Sequence, residues 1–292
     1  MGLPGTPAVD PRTLFRSTKN LEPLWEMDGA RQASSSSLSL SSQDDPLNSL
    51  PGDQSMSVPA LRLWNNLVRE YSNCALTFAN DKLLAFSGIA DLFRQITGDQ
   101  YIAGLWRSNL LHLLDWWVDQ PRCRASEDYR APSWSWASVG GPIRPRFAVA
   151  QSAFLVSILA VETPPNGSIG LSNVRLRLMG SLSLSAQHKQ LMHCALYPDT
   201  QEIILNELKP LYFLCLQTFR YDVLLHSPWQ SAIEVSCLLL EPVLCAVPVV
   251  YRRVGYCSVA DADDISKLGL QIDESGLAST SRVQDRREIV II

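Results

Sequence analysis

The chain has 292 residues, room for two domains at the usual size of roughly 100–200 residues each. Hydrophobic residues make up 46% and charged residues 18%, which is ample material for a core and excludes a chain disordered throughout. A formal net charge of −4 argues against a protein that wraps phosphates with Lys and Arg, and 15 Gly and 18 Pro exclude a collagen-like chain.

Residues 1–57 differ from the rest in composition. They hold the serine tract Ser34-Ser-Ser-Ser-Leu-Ser-Leu-Ser-Ser42, then Gln43-Asp-Asp-Pro46 and Pro51-Gly-Asp53, and bury too little to order themselves. Pro23-Leu-Trp-Glu-Met27 is the exception, a large aromatic in polar surroundings that reads as a short strand or docking segment.

Residues 58–131 read as a helical segment. Ser57 is an N-cap with Pro59 in the first turn, and Trp64, Leu67, Val68 and Tyr71 then fall on one face. A second helix starts around Asp81, places Phe86, Ile89, Phe93 and Ile96 on one face, and stops at Gly98. A third is expected from Tyr101 to Val118, apolar nearly all round, with Trp106, Leu110, Leu113 and Trp117 on one side.

From Pro132 onward the period changes to two, giving a β domain over residues 132–292. Val174, Leu176, Leu178, Leu182 and Leu184 alternate with Arg175, Arg177, Met179, Ser181 and Ser183, as in a half-buried strand. Phe154–Val161 precedes it across the turn-forming Thr163-Pro-Pro-Asn-Gly-Ser168. Leu211–Phe219, Val235–Leu240, Val247–Val259 and Glu288–Ile292 are the remaining strands. The fold class is α+β: a three-helix, aromatic-rich segment followed by an antiparallel β-sandwich or open barrel of five or six strands.

No run of 18 apolar residues occurs; the nearest, Cys237 to Tyr251, is interrupted by Glu241, Pro242 and Pro248. The N-terminus lacks the basic start and apolar run of a secretory signal, although Gly2 followed by Thr6 fits the loose N-myristoylation pattern. Seven cysteines without a C-x-x-C spacing read as reduced thiols of a cytoplasmic protein, Cys215 and Cys237 acting as small core hydrophobes.

Catalytic constellations are sparse. Ser138-Val-Gly-Gly141 lacks the first glycine of a nucleophile elbow, and Gly167-Ser-Ile-Gly170 is a hairpin turn with no strand–helix context for a dinucleotide. His188, His193 and Cys194 suggest a metal, yet no second ligand cluster accompanies them, so surface or hydrogen-bonded histidines are the expectation. No catalytic residue, cofactor or metal is assigned. Trp134 and Trp136 beside Arg130 could stack RNA bases, but alternate tryptophans at the start of a β region more often pack across a helix–sheet junction, and no nucleic-acid partner is expected.

Several segments, taken together and in order, resemble fungal heterokaryon incompatibility (HET) domain proteins over about residues 58–292. Arg130-Ala-Pro-Ser-Trp-Ser-Trp-Ala-Ser138, containing Pro132, Trp134 and Trp136, resembles a hallmark of the region that follows the HET domain in those proteins. Trp64-Asn-Asn-Leu-Val-Arg-Glu-Tyr-Ser72, with Leu76-Thr77 after it, looks like the family's W…V-x-x-Y-S element, carried here by Trp64 and Tyr71. Asp81-Lys-Leu-Leu-Ala-Phe-Ser-Gly-Ile-Ala90 is similar to a D-K/R-L-x-A-x-S-G-I-A element, with Asp81 and Gly88 in place. Asp99-Gln-Tyr-Ile-Ala-Gly-Leu-Trp106 and Leu113-Leu-Asp-Trp116 resemble the Y-x-A-G-L-W…L-L-W stretch through Tyr101 and Trp106. Tyr251-Arg-Arg-Val-Gly255 looks like the family's R-V-G strand, with Arg253 and Gly255 in place, before the terminal strand Ile289–Ile292.

The motifs of the HET domain proper, whose α/β fold is thought to resemble TIR domains, have no counterpart in this sequence, so no effector residue is carried over. Pro23-Leu-Trp-Glu-Met27 looks like the segment that closes that domain. The resemblance therefore implies a C-terminal module linked to non-self recognition and regulated cell death, with a HET-domain or other cell-death protein as partner. A truncated gene model or decayed paralogue is an alternative, and a TIR-related NAD-consuming or hydrolase activity a further one. The twelve motif residues are expected to be structural. Arg130 and Asp81, each at the start of an element that must dock, are expected to hydrogen-bond across the helix–β junction, to each other among other partners.

Overall fold

A computed structural model describes residues 56–74, 79–123, 129–146, 151–163, 174–184, 193–202, 210–223, 230–243, 246, 248–273, 277–280 and 286–292. The expectations for Gly2, Trp25, the serine tract, Leu76-Thr77, the turns at 163–168 and 167–170, and His188 lie outside these residues.

Ser57 accepts the N–H of Ala60 and opens helix α1 (Val58–Asn73), with Pro near its start. Trp64, Leu67, Val68 and Tyr71 are all buried on one face, as their spacing requires. Helix α2 (Lys82–Thr97) buries Phe86, Phe93 and Ile96 and ends at Gly98, in the left-handed region with φ 66°.

The expected third helix is not there. Its residues form a hairpin, β1 (Tyr101–Ile102) and β2 (Leu105–Trp106), a 3-10 turn, the single-turn helix α3 (Leu110–Leu113) and the strand β3 (Trp116–Val118). Ala103 (φ 49°) and Gly104 (φ 94°) both adopt positive φ, the requirement of a tight two-residue hairpin and incompatible with a helix. Gly104 has a second reason to be glycine, because a Cβ there would meet the Trp136 indole nitrogen at 2.8 Å. The run is apolar on all sides because it is buried between α1 and the sheet, and such a run does not distinguish helix from strand.

β4 (Ile143–Pro145) pairs antiparallel with β3 and leads into β5 (Gln151–Phe154), β6 (Ser157–Glu162), β7 (Arg175–Leu184), β8 (Cys194–Pro198), β9 (Tyr212–Val223), β10 (Gln230–Pro242) and β11 (Tyr251–Val259). Helix α4 (Ala262–Lys267), the small hairpin β12 (Leu270–Ile272) and β13 (Ala278–Thr280), and β14 (Arg286–Ile291) complete the order. Eight strands form one mixed sheet in the order β5-β9-β10-β11-β14-β7-β6, with β8 beside β11. Because β7 also pairs with β9 through Leu182↔Leu214, the strands β9, β10, β11, β14 and β7 close into a five-stranded ring. All its pairings are antiparallel except β11–β14, which meets in parallel at Tyr251↔Ile291. The α+β class holds, and the β unit is a closed ring rather than a two-layer sandwich.

The expected strand Phe154–Val161 divides in two at the seam of this ring, β5 pairing with β9 and β6 with β7. Val156 crosses the seam directly over Gly180, where a Cβ would come within 2.8 Å of its methyl. The two sides of the strands feed two cores, as period-two alternation dictates. Leu176, Leu178, Leu214, Leu216, Leu238, Leu240, Tyr256, Ile289 and Ile291 join the aromatic residues of the helical unit in one continuous core. Phe213, Cys215, Val235, Cys237, Leu239, Cys257 and Val259 pack with Ile265 and Leu268 of α4 and its flank, and with the β12–β13 hairpin, in the other. Cys215 and Cys237 face each other across β9–β10 with sulfurs 3.6 Å apart, as free thiols within that core.

Two arginines, Arg253 buried and Arg146 half-buried, fasten the Leu114–Trp117 segment to the sheet. Arg253 on β11 donates to the carbonyls of Leu114 (2.9 Å) and Trp116, pairs with Asp199 at 3.1 Å, and lies 3.4 Å from the Trp116 ring centroid. Both partners of that pair are almost fully buried, so desolvation pushes the Asp199 carboxyl up and the Arg253 guanidinium down while each charge opposes the other's shift. Arg146, just after β4, bonds Glu234 and the Tyr256 hydroxyl (2.9 Å), approaches Asp115 at 3.6 Å, and stacks on Phe219. Ser236 donates to Asp115 at 3.1 Å, closing a polar network in which burial pushes Asp115 up and Arg146 holds it down.

Removing one partner of a buried ion pair leaves the other charge uncompensated. Arg253→Leu is therefore expected to lose about 3–5 kcal/mol of stability, and Arg253→Leu with Asp199→Leu to recover part of that loss. Urea unfolding of the two variants checks this, and a double variant less stable than the single would refute it.

Candidate functional site

Eight of the twelve residues singled out by sequence cluster in or against the junction between the helices and the ring. Trp64 lies at its centre, its ring 5.3 Å from Phe86, 5.0 Å from Phe93, 5.9 Å from Tyr101 and 5.1 Å from Trp106, all edge-on. Trp136 extends the cluster, 5.6 Å from Phe86 and 6.1 Å from Tyr71. Pro132 and Trp134 are buried in the same layer, and Arg253 joins it to the sheet. Gly255 is buried under β8, where a Cβ would approach the Tyr197 carbonyl at 2.8 Å. Gly88 stands apart, exposed on α2 with open space around it.

The Pro132-Ser-Trp-Ser-Trp136 segment is fixed from three directions. The Ser135 hydroxyl donates to the Ala103 carbonyl and the Trp136 indole donates to Gly104 at 2.7 Å, so the segment grips the β1–β2 turn. The Ser133 N–H donates to the Ile292 carbonyl at 3.0 Å, while its hydroxyl accepts the Arg253 N–H at 2.9 Å. Trp134 and Trp136 are essentially inaccessible, at 0% and 1% exposure, and offer no face for a base to stack on.

The expected contact between Arg130 and Asp81 is not made. Asp81 is exposed at the N-cap of α2 without a side-chain capping bond, and Arg130 donates to the Ser138 carbonyl at 3.1 Å. The residue that spans the junction is its neighbour Lys82. Its ammonium donates to the carbonyls of Val139 (2.8 Å) and Trp136 (3.2 Å) and lies 5.1 Å from the Trp136 ring centroid. Tyr71 donates to the Lys82 carbonyl at 2.8 Å, and Ser72 accepts the Ile143 N–H at 2.8 Å, so α1 holds both the start of α2 and β4.

Lys82 lines a cavity of about 190 Å³ together with Tyr71, Cys74, Arg122, Arg130 and the Gly140-Gly141 turn. Burial, then the charges of Arg130 and Arg122, push its amine down from 10.5 to about 7. Burial likewise pushes the Tyr71 phenol up to about 12 and raises the Cys74 thiol, so both are neutral around pH 7. Such an amine switches between a cation and a neutral base within the physiological range, and a perturbed group lining a cleft makes this cavity the candidate functional site. One signal in the sequence pointed to it: Lys82 occupies the position that continues the buried stripe Phe86, Phe93 and Ile96 on α2. Arg122 carries no such pattern, and only the fold brings it to the cavity.

His193 lies beside the cap of helix α4. The side chains of His193, Asp261 and Asp264 offer ligand atoms within 4.8 Å of one another. Asp261 accepts the N–H groups of Asp263 and Asp264 at 3.0 Å each as the N-cap of α4, while Asp264 accepts the His193 N–H and the Lys267 ammonium at 2.7 Å each. These carboxylates are thus engaged in fastening α4 to β8. Cys194, next in the chain, and Cys257 on β11 are free thiols whose mutual interaction lowers the first and raises the second.

No helix among the described residues is long and apolar enough to cross a membrane. No family model, curated protein or solved structure matches the chain.

An amine at about 7 in the folded protein and 10.5 when exposed binds fewer protons folded than unfolded between those values. The penalty for burying the charge is therefore full below pH 7 and relieved as pH rises towards 10. The stability of the native protein relative to Lys82→Met is expected to rise across pH 7–10 and stay flat from pH 5 to 6.5. Urea midpoints of both proteins over that range test it; a parallel pair of pH profiles would contradict it.

Proposed function

We propose that the chain is the C-terminal scaffold module of a HET-domain-like fungal protein, cytoplasmic and acting through protein contacts in non-self recognition and regulated cell death. The observation that supports this reading is the convergence of the motif residues. Trp64, Tyr71, Tyr101, Trp106, Pro132, Trp134, Trp136 and Arg253, scattered along the sequence, are packed into one junction rather than displayed around a reactive centre. Motifs of this kind preserve a shape, and a preserved shape with no nucleophile–base set read from it serves positioning and contact. Its partner in this reading is a HET domain or another cell-death protein, whose activity the module restrains or positions.

Expression in fungal cells tests the proposal. The chain alone is expected to cause no cell death, and co-expression with a HET domain to change the fraction of cells that die. Arg253→Leu, which loosens the junction, is expected to abolish that change. Death caused by the chain alone would overturn the reading in favour of an intrinsic activity.

A further inference from the structure

Four cysteines lie side by side on four neighbouring strands. Cys215 on β9 faces Cys237 on β10, and Cys237 faces Cys257 on β11, each as a direct cross-strand partner. Cys194 on β8 opposes Val259, two residues beyond Cys257, and so sits diagonal to that thiol on the same face of the sheet. All four belong to the core that α4 and the β12–β13 hairpin cover, with Cys194 only partly buried in it. Every one is a free thiol, and the sulfurs of Cys215 and Cys237 are 3.6 Å apart.

Access to solvent gives the four thiols different roles. Cys215, Cys237 and Cys257 are buried, and a buried thiol in apolar surroundings is inert towards solutes. Cys194 is half-buried at the rim of the same row. Its interaction with Cys257 brings the Cys194 thiol down to about 7, against burial and the nearby Asp264 carboxylate, so a large share is thiolate at pH 7.5. The same interaction and burial push the Cys257 thiol up, so that it keeps its proton. Cys74, the other half-buried thiol, is raised by burial and by Glu70. We propose that Cys194 is a site of oxidation by hydroperoxides, with Cys257 as the thiol that converts the oxidised sulfur into a disulfide. The site goes beyond the scaffold reading and does not depend on it.

The Cys194 thiolate attacks one oxygen of the hydroperoxide. An S–O bond forms, the O–O bond breaks, and the leaving hydroxide or alkoxide takes a proton from water. The sulfur loses two electrons and the peroxide gains them. The Cys257 sulfur then attacks the sulfenic sulfur of Cys194; the S–O bond breaks, and hydroxide leaves with the Cys257 proton as water. Two thiols and one hydroperoxide thus give one disulfide, one water and one alcohol, the alcohol being a second water when the oxidant is hydrogen peroxide. Bridging a diagonal pair requires β8 to draw closer to β11. It is free to do so, because among the described residues β8 is an edge strand that pairs with β11 alone.

Treatment of the full chain with hydrogen peroxide at pH 7.5, read by intact mass and by peptide mapping without reduction, tests the proposal. A loss of two hydrogens and a peptide that links Cys194 to Cys257 are expected, both reversed by dithiothreitol. In Cys194→Ser the link and the mass change are expected to be lost. In Cys257→Ala the reaction is expected to stop at the sulfenic acid of Cys194, captured as a single dimedone adduct. Cys194 is half-buried, so its serine variant keeps the test valid even if Cys257→Ala fails to fold. A Cys194 that stays reduced, one that oxidises without linking to Cys257, or the same loss of two hydrogens in Cys194→Ser would overturn the proposal.

Discussion

A guanidinium with no access to water organises this protein. Arg253 leaves the sheet at β11 and satisfies its donors on the Leu114 and Trp116 carbonyls and the Asp199 carboxylate, with its plane over the Trp116 ring. A buried charge tolerates little displacement, because losing any one acceptor leaves a donor unpaired in a low-dielectric interior. The position of the Leu114–Trp117 segment is thereby tied to the sheet, and with it the aromatic layer built on Trp64 and Trp106. The Arg146 network does the same from the other side of Trp117. The interface between helices and strands is thus a set of specific polar bonds inside an apolar core, and such bonds select one docking geometry more sharply than apolar contact does.

The same logic explains why the motif segments are spaced as they are. The Pro132-Ser-Trp-Ser-Trp136 segment lies between the β1–β2 turn, the β11 backbone and the carbonyl of Ile292, three pieces distant in sequence. Each serine in it bonds a different neighbour, and each tryptophan fills space that the serines hold open. Of the five fully buried tryptophans, only Trp136 has an indole acceptor among the described residues, which ties its position to the carbonyl of Gly104. The Lys82 cavity is a by-product of this arrangement: the carbonyls of Trp136 and Val139 that draw in the ammonium belong to the turn that forms one of its walls.

Local chemistry made much of the fold legible. The Ser57 cap, the α1 and α2 stripes, the Gly98 stop and the alternation of β7 depend on neighbours a few residues away, so periodicity reports them. Residues 101–118 misled because burial on every side removes the polar face that sets a period, and the positive φ at Ala103 is invisible in an alanine. Closure of the ring rests on the β7–β9 pairing, a long-range contact with no local signal. At the candidate site the sequence points to Arg130 and Asp81 as the polar residues that begin docking elements, whereas the charge that spans the junction is Lys82. Its place on the apolar stripe of α2 was readable, but Arg122 reaches the cavity only through the β3–β4 pairing and the chain that follows it.

The central claim is that the aromatic unit and the ring form one cooperative body through these buried bonds. Native-state amide hydrogen exchange in rising urea measures this directly, because independent units open with separate free energies. The amides of Leu114, Trp116 and Trp136 are expected to merge with those of Leu238 and Leu240 into a single isotherm. If the aromatic unit opened at distinctly lower free energy while the ring stayed protected, Arg253 and Arg146 would not be joining the two, and the account would be wrong.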